Sequence, residues 1–142
     1  MLNGIIDGIC ESLHTAFGDG YTIYTESVKQ GFNTPCFFVQ LISPANAQLL
    51  GIRWIRQSSF CVQYFPESDN EPKTESNMVL GLLFCALEYI KVGDDMVRGT
   101  RMRGEFIDGV LSFFVNYNMI VRKTEEQAPM ETLQIKENKT KG

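Results

Sequence analysis

The sequence predicts an α+β domain of two layers, in which two helices pack on one face of a mostly antiparallel sheet in the order α-β-β-β-α-β-β. Three observations support this prediction. One long stretch alternates apolar and polar side chains, and two other stretches repeat apolar residues at helical spacing. The remaining apolar runs are short and bounded by Gly or Pro.

The alternating stretch runs from Asp108 to Lys123 and predicts the central strand of the sheet. Successive strand side chains point to opposite faces, so one face is apolar and the other is wetter. Asp108-Gly109 is a tight-turn dipeptide, which makes Val97–Phe106 the expected hairpin partner. The apolar face consists of Leu111, Phe113, Val115, Tyr117, Met119 and Val121.

A first helix is predicted before Gly18-Asp19-Gly20, a glycine-rich segment that ends it. Asn3 can cap its first turn, because an Asn side chain accepts hydrogen bonds from the free backbone N–H groups. Apolar residues at three- and four-residue spacing form the face that packs on the sheet. They are Ile5, Ile6, Ile9, Leu13, Ala16 and Phe17.

Three apolar segments predict the next strands, at residues 21–25, 36–42 and 58–65. The second of them begins with Cys-Phe-Phe-Val, which is apolar on both faces of an extended chain. Strands with this pattern are covered on both sides. We therefore expect the strand at 36–42 to be buried on both faces.

Two connecting segments are expected to project from the sheet. Residues 26–34 form a polar loop that is longer than most connections. Ser43-Pro44 interrupts the strand before it or marks an edge or bulge, because Pro cannot donate a ladder hydrogen bond. Residues 46–50 and 53–55 then flank Gly51, which suits an extended hairpin.

The second helix is predicted after residues 68–71, which have the form of a capping box, and Pro72 suits its first turn. Its apolar stripe predicts a helix that extends to about residue 91 and lies across the apolar face of the sheet. The stripe consists of Val79, Leu82, Leu83, Ala86, Leu87 and Ile90. Gly93-Asp94-Asp95 then forms a turn into the C-terminal hairpin.

A change in composition divides the chain into one domain at residues 1–123 and a polar C-terminal arm at residues 124–142. The arm carries a single small apolar cluster at Met130, Leu133 and Ile135. Such a segment cannot bury enough apolar surface to fold alone. It is therefore expected to be disordered or to dock on another surface.

Charge and cysteine usage exclude several classes of protein. The net charge is −4, whereas a protein that grips nucleic acid by its phosphates has a basic surplus. Only passive proximity to DNA is expected, as in the wall of a channel. The 4 cysteines form no Cys-x-x-Cys pair and predict reduced thiols in the core, with disulfides as the alternative. No apolar stretch approaches the length of a membrane span.

The residues that could carry chemistry do not form a catalytic or metal-binding pattern. His14 is the only histidine and is interpreted as a helix-surface residue rather than a base or ligand. Asp7 and Glu11 lie one helical turn apart and are interpreted as solvated carboxylates. Nucleophile-elbow, Walker A and zinc-ligand spacings are all absent from the sequence. We therefore expect no enzyme activity and no cofactor.

Three arginines of the predicted strand at 97–106 are candidates for contact with a partner. Arg101 and Arg103 are expected on one face, with Arg98 nearby. They form a basic rim toward an acidic partner, or a solvated face on which Arg discourages unwanted edge pairing.

Seven strings carry a resemblance to a known family. They are Tyr21–Gly31, Pro35–Phe38, Phe60–Pro66, Ala86–Ile90, Arg98–Met102, Asp108–Tyr117 and Met130–Leu133. In number and order they resemble the tail terminators of phages and prophages of low-GC Gram-positive bacteria. None of these strings is a catalytic signature.

The resemblance implies a structural, non-enzymatic subunit. It would close into a hexameric ring on the head-proximal end of the tail tube and stop tube polymerisation. Expected partners are further copies of the chain, the tail tube protein, the sheath protein of contractile tails and a neck or connector protein, with no membrane partner. The expected location is the tail of a virion or phage-like particle, including a defective prophage or contractile bacteriocin, assembled in the host cytoplasm.

The candidate contact residues belong to the projecting parts and the arginine strand. They are Glu26, Lys29, Gln30 and Phe32 of the loop, Gln48, Arg53 and Trp54 of the hairpin, Arg98, Arg101 and Arg103, and Met130, Leu133 and Ile135 of the arm. Two alternatives remain open. One is a neck or head-completion subunit, and the other is a small ligand-binding module or hydrolase.

Overall fold

The computed structural model describes residues 2–25, 31–67 and 72–122. These residues form a sheet of six strands in the order β1-β2-β3-β6-β5-β4, with two helices. The predicted α+β class, with helices on a mostly antiparallel sheet, is confirmed. The elements are α1 (Leu2–Phe17), β1 (Thr22–Tyr24), β2 (Cys36–Leu50), β3 (Arg53–Phe65), α2 (Pro72–Ala86), β4 (Tyr89–Val92), β5 (Asp95–Ile107) and β6 (Val110–Arg122).

The chain divides into two compact units. The first contains Met1–Pro44 and Ser58–Asn118, and the second contains Ala45–Gln57 and Met119–Gly142. The hairpin of the second unit turns at Gly51, where the Gln48 Nε2 donates to the Gly51 carbonyl at 2.8 Å. Arg56 Nε donates across the hairpin to Asn46 Oδ1 at 3.0 Å. The predicted hairpin is confirmed, and the predicted division at residue 123 stays a prediction.

Strand β6 is central, as its alternation predicts, because it pairs with β3 on one side and β5 on the other. Its inward side chains, Leu111, Phe113, Val115 and Tyr117, are each 0 % exposed. The β5–β6 hairpin turns through Asp108 and Gly109, both at positive φ, and Ile107 pairs with Val110. This two-residue turn sets the register of the hairpin.

Strand β2 begins with side chains that are buried on both faces of the sheet, as predicted. Toward the helices, the Phe37 ring lies 4.9 Å from Phe17, 5.7 Å from Tyr21 and 5.1 Å from Tyr64. On the opposite face, the Phe38 ring lies 4.9 Å from Tyr24, 5.6 Å from Phe32 and 5.3 Å from Phe65. Ring pairs at these distances add to the free energy of burial.

Both helices bury one stripe against the sheet. Ile5, Ile9 and Leu13 of α1, and Leu83 of α2 with Leu87 just beyond it, are each 0 % exposed. The first turn of α2 is also tied to the end of β3. Glu75 accepts a hydrogen bond from the Tyr64 hydroxyl and another, at 2.9 Å, from the Glu67 backbone N–H.

Two glycines allow backbones to approach where a larger residue would collide. A Cβ at Gly99 would lie 2.6 Å from the Leu87 carbonyl oxygen, and one at Gly8 would lie 2.5 Å from the Lys91 carbonyl oxygen. The Gly99 N–H donates to the Glu88 carbonyl at 2.6 Å. The Tyr117 hydroxyl donates to the Leu87 carbonyl at 2.6 Å. The region after α2 is thus bonded directly to β5 and β6.

Several details differ from the sequence predictions. Helix α1 begins at Leu2, so Asn3 lies inside its first turn rather than capping it. The second helix ends at Ala86, and Ile90 lies in β4, where it pairs with Val97. Leu82, predicted to face the sheet, is 48 % exposed. Strand β2 continues through Pro44 beyond the predicted end at residue 42, and among the described strands β1 pairs only with its residues 36–38. Pro44 therefore lies at an edge, which was one of the expected alternatives. A proline at such an edge removes no ladder hydrogen bond.

We expect Gly99→Ala to lower the free energy of unfolding by about 1–3 kcal/mol, because the added methyl group meets backbone that must move. Gly81→Ala in α2 is the matched control. Its Cβ would meet nothing within 4 Å, and it should raise the free energy by about 0.5–1 kcal/mol through helix propensity. Urea denaturation measures both changes. Equal effects from the two substitutions would contradict the close approach at Gly99.

We also expect the tyrosine contribution to the free energy of unfolding to fall as the pH rises above about 10, the ordinary tyrosine pKa. Burial raises the pKa of the Tyr117 hydroxyl. Burial and then the Glu75 carboxylate raise the pKa of Tyr64. Above pH 10 the unfolded chain therefore binds fewer protons than the folded chain, which makes the slope of stability against pH negative.

Urea denaturation from pH 8 to pH 11 measures this slope. The Tyr64→Phe and Tyr117→Phe variants should each flatten it. A wild-type stability that stays constant through pH 11 would contradict the assignment.

Candidate interaction surfaces

A concavity of about 500 Å³ opens on the face of the sheet that carries Phe114. This face lies opposite the helices, because Phe113, the neighbour of Phe114 in β6, packs against Phe84 of α2 at 5.3 Å between ring centroids. Strands β2, β3, β5 and β6 all contribute residues to its lining. Its polar side chains are Ser43, Ser59, Asn116, Arg101 and Arg103. It therefore combines an apolar floor with two cations.

A β-bulge in β5 forms one wall of this concavity. Thr100 pairs with Asn116 and Arg103 pairs with Phe114, so Arg101 and Met102 together face the single residue Val115. Arg101 has a φ of 52°, in the left-handed region that non-glycine residues seldom occupy. Bulges redirect side chains and occur often next to functional sites. Here the bulge places both arginines on the concavity.

The two arginines differ in their partners. Arg103 forms an ion pair with Glu105, and its guanidinium carbon lies 4.2 Å from the centroid of the Phe114 ring. Arg101 is exposed and has no hydrogen-bond or ion-pair partner within residues 2–25, 31–67 and 72–122. One cation is therefore held in position by Glu105 and Phe114, whereas no such partner is described for the other.

A second surface is the outer side of α2, which is apolar although it faces solvent. Met78 is 68 % exposed and Leu82 is 48 % exposed, and Cys85 follows them at helical spacing. The exposed side of α1 instead carries Asn3, Asp7 and other polar residues. An exposed apolar patch on one helix but not the other is typical of a contact surface.

The hairpin of the second unit also exposes apolar side chains at its turn. Leu49 is 50 %, Leu50 is 77 % and Ile52 is 46 % exposed. The predicted contact residues Gln48 and Arg53 are exposed beside them, and Trp54 is half-buried. These positions agree with the predicted contact role without testing it.

The remaining predicted contact residues fall in different places. Phe32 is half-buried, with its ring 5.1 Å from that of Phe65. Arg98 is exposed, pairs with Tyr89 of β4 and does not line the concavity. Glu26, Lys29, Gln30, Met130, Leu133 and Ile135 lie outside the described residues.

Several residues of these surfaces escaped prediction from the sequence. Ser43, Ser59 and Asn116 come together only through the order of the strands, for which the sequence contains no local signal. The sequence does contain a local signal for the outer side of α2. Met78 and Leu82 are both apolar and lie four residues apart, and Met78 does not belong to the stripe that was predicted to face the sheet.

The groups that could carry chemistry are separated. His14 is exposed, with its Nε2 3.3 Å from Asp19 Oδ1. All four cysteines are free, and burial raises the pKa of the Cys10, Cys36 and Cys61 thiols. In the described part of the chain, no three His, Cys, Asp or Glu side chains converge on a metal site. Neither of the two helices described has the length and hydropathy of a membrane span.

Comparison with known proteins gives one informative match. A family model described as "Phage tail terminator protein" matches residues 4–129. No curated protein matches the sequence significantly. Among the solved structures that match, one aligns with 83 % of this chain and 95 % of its own at 12 % identity and a TM-score of 0.41. That likeness is too low to carry an argument.

Proposed function

The chain belongs to the phage tail terminator family and has a structural role in a phage tail. We propose that it forms a six-membered ring that caps the head-proximal end of the tail tube. In this role the ring stops tube polymerisation. The observation that carries the proposal is the family match, which extends from the first helix past the last strand.

The described surfaces support a ring physically. A ring closes when one patch on a subunit meets a different patch on the next subunit under rotation. The first unit contains two dissimilar contact surfaces, the arginine-lined concavity and the apolar outer side of α2. The second unit adds the exposed apolar turn at Leu50. Dissimilar patches on one chain favour such head-to-tail contacts over a symmetric dimer.

A cap must also present different surfaces to the tube and to the neck, because otherwise the tube would continue to grow. The two faces of the sheet meet this requirement. One is covered by the helices, whereas the other carries the open concavity. In a contractile tail, the outer circumference of the same ring would contact the last sheath ring.

DNA would pass through the lumen without being held. The net charge of −4 opposes stable binding of phosphates along the channel. We propose that the chain acts without enzyme activity or cofactor, and that it assembles in the host cytoplasm on the completed tube.

The assembly is tested in two steps. The purified chain, alone or with tail tubes, should have the mass of six subunits by sedimentation or native mass spectrometry. Deletion of its gene from the parent particle should give overlong tubes in electron micrographs. Tubes of normal length that lack a head or neck would instead identify a neck subunit, and a strictly monomeric chain would contradict the ring.

We expect Trp54→Ala to weaken the ring by about 2 kcal/mol per contact, because half-buried tryptophans are frequent anchors of interfaces. The free energy of unfolding of the isolated subunit should fall by less than the ring contact does. Sedimentation measures the ring and urea denaturation measures the subunit. Gln57→Ala, at an exposed position of the same hairpin, is the matched control. Equal losses in both measurements would show that Trp54 only packs within its own chain.

A further inference from the structure

The concavity opposite the helices is basic, although the chain as a whole is acidic. The charged side chains in its lining are Arg101 and Arg103, and Arg103 pairs with the Glu105 carboxylate. The full chain has a net charge of −4. This local excess of positive charge favours an acidic partner.

The apolar part of the lining limits the kind of partner further. Ile42 is 50 % exposed, and Phe114 is half-buried beneath the Arg103 guanidinium. A free phosphate or a nucleic-acid backbone would leave these apolar atoms uncovered. A peptide that carries carboxylates and apolar side chains would cover them and also pair with Arg101.

The chain itself contains a segment of this composition. After Arg122 it continues for 20 residues, which include Glu125-Glu126 followed by Met130-Glu131 and Leu133. Fully extended, the 3 residues from Arg122 to Glu125 reach about 10 Å, and the 11 residues to Leu133 reach about 36 Å. This reach suits a subunit that is directly adjacent in the ring.

We propose that the concavity of one copy binds the C-terminal arm, residues 124–135, of the neighbouring copy. Glu125 or Glu126 pairs with Arg101, and Met130 or Leu133 covers Ile42 and Phe114. This inference rests on the proposed ring, and it names the contact that joins one subunit to the next. The bulge at Arg101 then has a role, because it directs a cation toward the incoming arm.

Charge reversal in the full-length chain tests the proposal. The groove variant, Arg101→Glu with Arg103→Glu, has an acidic groove and an acidic arm. The arm variant, Glu125→Lys with Glu126→Lys, has a basic groove and a basic arm. Each alone should raise the protein concentration for half-maximal assembly by about tenfold or more, because each places like charges together.

An equimolar mixture of the two variants should assemble again. In a ring that alternates them, every groove meets an arm of opposite charge from its neighbour. Native mass spectrometry distinguishes this mixed ring by its mass. If only the variant with all four substitutions recovers, each arm binds its own chain, and that result overturns the proposal.

Two further variants separate assembly from folding. Lys91→Glu reverses an exposed charge of β4 outside the concavity and should assemble as the wild type does. Arg101→Gly relieves the left-handed backbone and should raise the free energy of unfolding, while it weakens assembly. A purely structural role for Arg101 would not produce this opposite pair of effects.

The remaining outcomes distinguish this proposal from the ring itself. A six-membered ring that is unaffected by every reversal overturns the arm contact and leaves the terminator role intact. A wild-type chain that stays monomeric overturns the ring. In that case a labelled peptide of residues 123–142 should still bind the wild type and not the groove variant.

Loss of duplex DNA binding in the groove variant, with no effect in the arm variant, would make the occupant a nucleic acid and overturn the proposal.

Discussion

The arrangement of the first unit depends on the joint between the end of α2 and the middle of the sheet. The last carbonyl groups of a helix have no partner within the helix. Here the Tyr117 hydroxyl of β6 donates to the Leu87 carbonyl, and the Gly99 N–H of β5 donates to the Glu88 carbonyl. Both bonds lie against fully buried side chains, so neither carbonyl is left without a partner in the core.

Because these two bonds fix α2 on one face of the sheet, the two faces differ in how much of their surface is covered. The helical face is largely covered by α1 and α2, which pack on the inward side chains of β6. The opposite face is covered near β1 by the rings around Phe38 and is open near the β5 bulge. A subunit that acts by contact must bind through surfaces that its own core leaves uncovered. In the first unit these surfaces are the concavity and the outer side of α2.

Elements whose signal is local could be predicted from the sequence. The alternation of β6, the Asp108-Gly109 turn and the two-sided burial around Phe37 each depend on adjacent residues, and all three were predicted. Strand β4 was missed because Ile90 continues the helical spacing of Leu83 and Leu87. Its extended backbone depends on pairing with β5, which is decided by tertiary contacts.

The concavity could be predicted only in part, for the same reason. Arg101 and Arg103 are visible as a charged pair in a predicted strand. The bulge that separates their pairing partners leaves no mark in the sequence, because an arginine at positive φ is not a residue type associated with such backbone. The serines and Asn116 arrive from three other strands, whose order becomes known only from the structure.

Met78 and Leu82 are exposed to solvent on the outer side of α2. They also affect the free subunit before it is incorporated into a particle. Each exposed apolar side chain raises the free energy of the unassembled subunit relative to that of an assembled subunit in which the same surface is buried. A large excess of free subunits would consequently be prone to aggregation. We expect selection to match the rate of synthesis to the number of particles under construction, so that this helix spends little time in contact with water.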